Sequence, residues 1–156
     1  PNALLSLNAA LANDFASFPC GLVERHADFR IIASANTFGH GASAQYVGRN
    51  PMDAATLDRF AYIPMGYDEA LERSIAGNDA WVDLVQAIRA QVEHHKMRFV
   101  VSPRASIKGA KALAGGMAWR SAMDALIFAK GWSDTDKTKV LDGVDFTIID
   151  ALQEAA

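Results

Sequence analysis

Residues 29–36 read FRIIASAN, and this stretch decides the fold that we expect. It is short, apolar and rich in small or β-branched side chains, which is typical of a strand covered on both faces of a sheet. We therefore predict a buried strand over residues 29–35. Asn36 would lie at its carboxyl end, which faces the ligand crevice in an open α/β sheet. The alternative is that Asn36 only begins the next loop, because Asn favours turns.

The patterns on either side divide the chain into two parts of different character. Before residue 66 the spacing predicts a helix over residues 2–13, a hairpin over residues 15–25 and a second strand over residues 60–65. Helices are predicted over residues 68–76, 79–96, 102–113 and 118–130, and a last one begins at Ser133. We place the change between residues 66 and 77, and expect an α/β part at 1–76 and an all-α part at 77–156.

Composition excludes several classes of protein. Hydrophobic residues make up 51% and charged residues 21% of the 156 residues, as in a globular domain. The net charge of -3 argues against a strongly basic nucleic-acid surface, although a local patch could exist. The single cysteine, Cys20, favours a reducing compartment, and no apolar run reaches the roughly 18 residues of a membrane span. We expect a cytoplasmic protein without a membrane partner.

Two arginines stand in positions from which a guanidinium could bind phosphate oxygens. Arg59 follows the predicted short helix capped by Asp53, and a bidentate guanidinium suits phosphate. Its alternative role is an ion pair with Asp53, Asp58 or a neighbouring carboxylate. Arg104 lies in VSPRA, residues 101–105, where Ser102 and Pro103 favour a helix start. A cation in the first helical turn opposes the helix dipole, so Arg104 is either functional or simply exposed to solvent.

Taken together and in order, these stretches resemble part of a known ATPase module. Residues 29–60, FRIIASANTFGHGASAQYVGRNPMDAATLDRF, resemble the segment from sensor 1 to the arginine finger of MoxR-like and dynein-related AAA+ ATPases. Residues 1–13 resemble the helix after the Walker B acids, and residues 101–113 resemble the start of the sensor 2 helix. The resemblance extends from Pro1 to about residue 129.

The resemblance implies a fold, three roles and a set of partners. The fold would be the α/β remnant of a P-loop AAA+ core followed by an all-α helical lid. Asn36 would be sensor 1, Arg59 an arginine finger that acts in the next subunit, and Arg104 a sensor 2 contact to the nucleotide. The parent protein would use ATP and Mg²⁺ to remodel a protein or complex, as a ring that is commonly a hexamer.

The chain departs from that family in one respect. It contains no GxxxxGK[ST] motif and no apolar run ending in Asp-Glu, so the phosphate cradle and the magnesium-binding acid are missing. We expect a fragment rather than a degenerate relative, inactive alone and without tightly bound ATP. The rival from another class is a non-enzymatic helical interaction module whose arginines make structural ion pairs.

Histidines and tryptophans do not suggest another site. His26 and His40 have no partner at zinc spacing, and the adjacent His94 and His95 would point in different directions on a helix. No metal site is therefore predicted. The tryptophans at positions 81, 119 and 132 lie in helical patterns, and we interpret them as packing residues rather than a base-stacking platform. Nucleic acid is not an expected partner.

Overall fold

A computed structural model describes residues 10–41, 50–129 and 131–154 of the chain. It divides into two compact units, Pro1–Pro64 and Met65–Ala156. This division precedes the predicted one at residues 76 and 77, because the helix that ends at Ala76 packs within the second unit. The helix predicted over residues 2–13 lies mostly outside the described residues, and residues 10–12 are helical.

A β-hairpin opens the described part of the first unit, as predicted. Strand β1, Phe15–Phe18, pairs antiparallel with β2, Gly21–Glu24, and the register runs from Phe15 opposite Glu24 to Phe18 opposite Gly21. Two residues, Pro19 and Cys20, connect the strands. Gly21 has φ 125°, which side chains with a Cβ rarely adopt, so the glycine permits this tight connection.

The predictions of strands over residues 29–35 and 60–65 are wrong. Neither segment forms a strand, and both are largely exposed: Ile32 is 95% and Ile63 78% accessible. A strand needs a neighbour for its backbone N–H and C=O groups. Within the described ranges, β1 and β2 are the paired strands, and they pair with each other. The sheet within the described ranges is therefore a single hairpin.

A short helix and a buried glycine organise the rest of the described first unit. Helix α1, Ala54–Leu57, begins after Asp53 as predicted, but the Asp53 side chain makes no capping hydrogen bond. Gly39, at φ 80°, is buried, and its carbonyl accepts a hydrogen bond from Met52 N at 2.7 Å. A Cβ on Gly39 would lie 2.6 Å from Leu57 Cδ2, so glycine allows this close approach. The segment around Gly39 therefore packs on α1 and on Met52.

Helices make up the second unit. They are α2 (Glu69–Ala76), α3 (Asp79–His94), α4 (Pro103–Ala114), α5 (Trp119–Met123), which continues as a π-helical turn (Asp124–Phe128), α6 (Asp134–Leu141) and α7 (Phe146–Glu154). The predicted helix starts are confirmed at Ser133, which forms a capping box with Asp136, and at Pro103. In the described ranges no helix has both the length and the apolar character needed to cross a bilayer.

Helix α3 forms the centre of the core. Trp81, Leu84, Val85 and Ile88 have no accessible surface, and they follow helical spacing along one side of α3. The other two tryptophans, at positions 119 and 132, are each 8% accessible. The interpretation of all three tryptophans as packing residues is therefore confirmed. This buried side of α3 supports α4, which carries one of the candidate site residues.

Candidate functional site

Arg104 lies in the first turn of α4, in a segment that is fixed on both sides. Before it, the carbonyl of Val101 accepts a hydrogen bond from Arg89 Nε at 2.7 Å. After it, the carbonyl of Ala105 accepts one from the indole Nε1 of Trp81 at 3.1 Å. Both donors belong to the buried side of α3. The backbone that carries Arg104 is thus held by two rigid, buried side chains.

A buried ion pair reinforces this arrangement. The guanidinium of Arg89 donates to both carboxylate oxygens of Glu72 from α2, with Nη1–Oε2 at 2.8 Å and Nη2–Oε1 at 2.7 Å. The Ser106 hydroxyl, in α4, donates to the same carboxylate, and Gln86 Nε2 lies 3.5 Å from it. The Tyr67 ring lies 4.8 Å from the guanidinium carbon. One carboxylate therefore joins α2, α3 and α4.

The pair is charged at neutral pH. Burial raises the pKa of the Glu72 carboxyl, but hydrogen bonds from Arg89 and Ser106, together with the charge of Arg89, lower it further than burial raises it. The pKa of Glu72 is therefore below its usual range. The side chains are only 1% and 7% accessible for Glu72 and Arg89, so solvent screens their attraction weakly.

Arg104 itself has no such partner. Its side chain is exposed, the first turn of α4 contains no acidic residue, and within the described ranges it makes no hydrogen bond or ion pair. Ser102 occupies the N-cap position, but its side chain makes no capping hydrogen bond. The result is an uncompensated cation on a fixed backbone, beside the positive end of a 12-residue helix. Such an arrangement can bind an anion.

Arg59 is also exposed, and it follows α1. Its Nη1 donates to the carbonyl of Ala55, one helical turn earlier. In the described part of the chain no carboxylate lies within ion-pair distance of it. The alternative ion pair with Asp53 or Asp58 is therefore absent. The guanidinium lies at the surface of the first unit, accessible to another molecule.

Asn36 does not occupy the environment that the sequence predicts. It is exposed, and it follows an unpaired segment rather than the carboxyl end of a buried strand. The structure places it in the same unit as Arg59. Phe38 lies shortly after Asn36, and Tyr62 lies shortly after Arg59. Their rings contact each other with centroids 4.8 Å apart, so the segments that follow Asn36 and Arg59 meet. Arg104 belongs to the second unit.

The ion pair was missed by the sequence analysis, although one signal was present. Arg89 lies four residues after Val85 and three before Val92, two buried residues of α3. A charged residue at the spacing of a core face predicts a buried partner, because an unpaired charge is costly there. No comparable signal identifies Glu72 or Ser106 as that partner, because they are distant in the sequence.

In the ranges that the structure covers, no group of three or more His, Cys, Asp or Glu side chains could hold a metal ion. Comparison with protein-family models, with curated proteins and with solved structures found no match. The function must therefore be proposed from the residues and their geometry.

Proposed function

We propose that this chain is part of an AAA+ ATPase of the MoxR or dynein-related type, which couples ATP hydrolysis to the remodelling of a protein or complex. The first unit would contribute to the α/β subdomain, with Asn36 as sensor 1 and Arg59 as the arginine finger. The second unit would be the helical lid, with Arg104 as sensor 2. The complete protein would bind ATP and Mg²⁺ and act in the cytoplasm as a ring, commonly a hexamer.

The fixed, uncompensated cation at Arg104 carries this proposal. The hydrogen bonds to the carbonyls of Val101 and Ala105 hold its backbone on both sides, at 2.7 and 3.1 Å, while its own side chain is exposed. A charged group that is positioned before the ligand arrives contributes more to phosphate binding than one that must be ordered on binding. The helix start adds N–H groups that favour the same negative charge.

Exposure of Arg59 supports its proposed role. A finger that acts on the nucleotide of a neighbouring subunit has to be accessible in its own subunit, and Arg59 is exposed and paired with no carboxylate within the described ranges. An arginine supplied from a second molecule can accelerate phosphoryl transfer by about 10³–10⁵-fold. Its single internal hydrogen bond, to the carbonyl of Ala55, is readily exchanged for a phosphate oxygen.

In the proposed ATPase, the phosphate cradle would come from residues other than these 156. No GxxxxGK[ST] motif occurs in the sequence, and that motif supplies the backbone N–H groups and the lysine which bind the phosphates. The isolated chain is therefore expected to hydrolyse no ATP and to bind it weakly. Steady-state phosphate release at millimolar ATP tests this expectation, and turnover that an Asn36 substitution abolishes would contradict it.

The decisive experiment compares two arginine variants in the complete protein. Arg104→Ala is expected to weaken ATP binding, because sensor 2 contacts the nucleotide of its own subunit. Arg59→Ala should leave folding and ATP binding nearly intact and reduce hydrolysis strongly. Arg120→Ala, a change at another exposed arginine of the second unit, is the control and should alter neither. Unfolding of the Arg59→Ala variant would instead support a structural role.

The helical interaction module is the second candidate, and one observation favours it. Leu71 and Ile75, on one side of α2, are each 55% accessible, and exposed apolar pairs of this kind can serve as contact surface. The gene sequence upstream of Pro1 distinguishes the two candidates. A GxxxxGK[ST] motif followed by an apolar run ending in Asp-Glu would support the ATPase, and a start codon immediately before the Pro1 codon would support the module.

A further inference from the structure

Positive charge is concentrated in one segment of the chain. Residues 94–123 contain six of the 15 Lys and Arg residues and none of the 18 Asp and Glu residues. The remaining nine basic residues share the rest of the chain with all 18 acidic ones. The net charge of -3 is therefore the sum of a strongly basic segment and an acidic remainder of the chain.

Helix α4 displays part of this charge as a line along its surface. Arg104, Lys108 and Lys111, here called the basic stripe, are spaced four and three residues apart, so they lie on one side of the helix over about 10 Å. All three are exposed. The opposite side of α4 is buried, through Ala105, Ser106, Gly109 and Ala110. Within the described ranges, none of these three side chains makes an ion pair or hydrogen bond.

An ordinary solvated helix face looks different. In α6, Lys137 lies 3.2 Å from Asp134, an i,i+3 pair that compensates the charge. Helix α4 contains no Asp or Glu at all. Like charges four residues apart destabilise a helix. No side chain of α4 compensates the positive charge of this face. The face is therefore electrostatically complementary to an anionic partner.

We infer that the basic stripe is a docking surface for an acidic helical segment of another protein. Carboxylates at i, i+4 and i+7 of such a segment match the spacing of the three cations. A nucleic acid is less suitable, because three phosphate contacts release few counterions and the acidic remainder of the chain repels a long polyanion. The tryptophans, which could stack on bases, are buried. This inference does not depend on the proposed ATPase function.

The test measures binding of a fluorescent, alanine-based helical peptide by anisotropy at low salt. Its glutamates repeat at i, i+4 and i+7 on one face, and a second peptide of equal composition spreads them around the helix. The double variant Lys108→Gln/Lys111→Gln removes two cations of the stripe and keeps Arg104. The matched control is Lys137→Gln/Lys139→Gln, which changes the net charge equally on α6.

The stripe variant is expected to bind the one-face peptide about 2- to 30-fold more weakly than the native chain, from two lost surface ion pairs. The α6 control should bind as the native chain does, and the one-face peptide should bind more tightly than the spread one. Equal weakening by both double variants, or equal binding of both peptides, would overturn the inference. So would tighter binding of a 20-base-pair DNA duplex than of the one-face peptide. Because Arg104 is unchanged, any of these failures leaves the proposed ATPase role of Arg104 untouched.

Discussion

The substitution Arg89→Met tests whether the buried ion pair between Arg89 and Glu72 contributes more to stability than a surface ion pair does. Methionine keeps an unbranched apolar stem and removes the guanidinium. The change deletes both hydrogen bonds to Glu72, at 2.8 and 2.7 Å, and the 2.7 Å bond to the Val101 carbonyl. Glu72, whose side chain is 1% accessible, would keep only Ser106 and Gln86 as partners. Its negative charge would then lie buried without a cation.

The expected loss of stability is large. Breaking a buried pair by removing one partner costs about 3–5 kcal/mol, out of about 5–15 kcal/mol for a typical domain. For a unit of this size the melting temperature should fall by more than about 10 °C. The control is Arg73→Met, which breaks the exposed contacts to Asp79 and Asp83 at 3.3 and 2.5 Å. Exposed pairs contribute about 0–1 kcal/mol, so this control should unfold almost as the native chain does.

Equilibrium unfolding in urea, followed by circular dichroism at 222 nm, measures both variants. The double variant Glu72→Leu/Arg89→Met adds a second comparison. Replacing both charges by apolar side chains is often neutral or stabilising, so it should recover much of the loss, apart from the hydroxyl of Ser106, which loses its acceptor. A cost below about 1 kcal/mol for Arg89→Met, or equal costs for Arg89→Met and Arg73→Met, would refute this account.

Three further results are expected from the same geometry. The pKa of Glu72 is held below its usual value of about 4.3. Its contribution to stability is therefore complete above that pH and is lost as the pH falls through the folded-state pKa. Urea titrations from pH 7 to pH 2 should show this loss of stability, and a Glu72→Gln variant should show a smaller loss. Gly109→Ala should cost about 1–3 kcal/mol or more, because the added methyl would overlap the buried indole of Trp81, and thermal unfolding measures it. Gly143→Ala should cost only about 1 kcal/mol, because the amide end of Gln91 can move and gives up one hydrogen bond of 2.8 Å; equal costs at the two glycines would contradict both expectations.

Features that depend on nearby residues could be predicted from the sequence. The hairpin follows from Pro19 and Gly21 between two apolar stretches, and the start of α6 follows from Ser133, because serine favours the N-cap position. Each of these signals involves atoms only a few residues apart. The physical interaction that fixes the structure is therefore contained in the local sequence.

Features that need a distant partner could not be predicted. Residues 29–35 have the composition of a buried strand, but composition does not specify which segment will pair with it. In α2, the charged Glu72 is buried while the apolar Leu71 and Ile75 are exposed, which is the reverse of what side-chain hydrophobicity alone indicates. Glu72 is buried because Arg89 and Ser106 satisfy its carboxylate from two other helices.

In the candidate site too, the local features could be predicted and those that need a distant partner could not. The sequence correctly indicated a helix start at Pro103, with Arg104 in the first turn. It could not indicate that Arg89 donates a hydrogen bond to the Val101 carbonyl, because that bond joins residues 12 apart in the chain. The roles of Asn36 and Arg59 remain predictions, since each depends on a ligand or a second molecule that meets an exposed side chain.

Fold stability and the positioning of Arg104 can be separated experimentally, because Arg89 serves both. In the Glu72→Leu/Arg89→Met variant the unpaired buried charge is gone, but the Val101 carbonyl has lost its donor. Of the two side-chain hydrogen bonds to the backbone around Arg104, only the one from the Trp81 indole would remain. If a fixed backbone is what makes Arg104 effective, this variant of the complete protein should be stable and yet bind ATP more weakly than the native protein. Native ATP affinity at native stability would show that Arg104 does not need the hydrogen bond from Arg89.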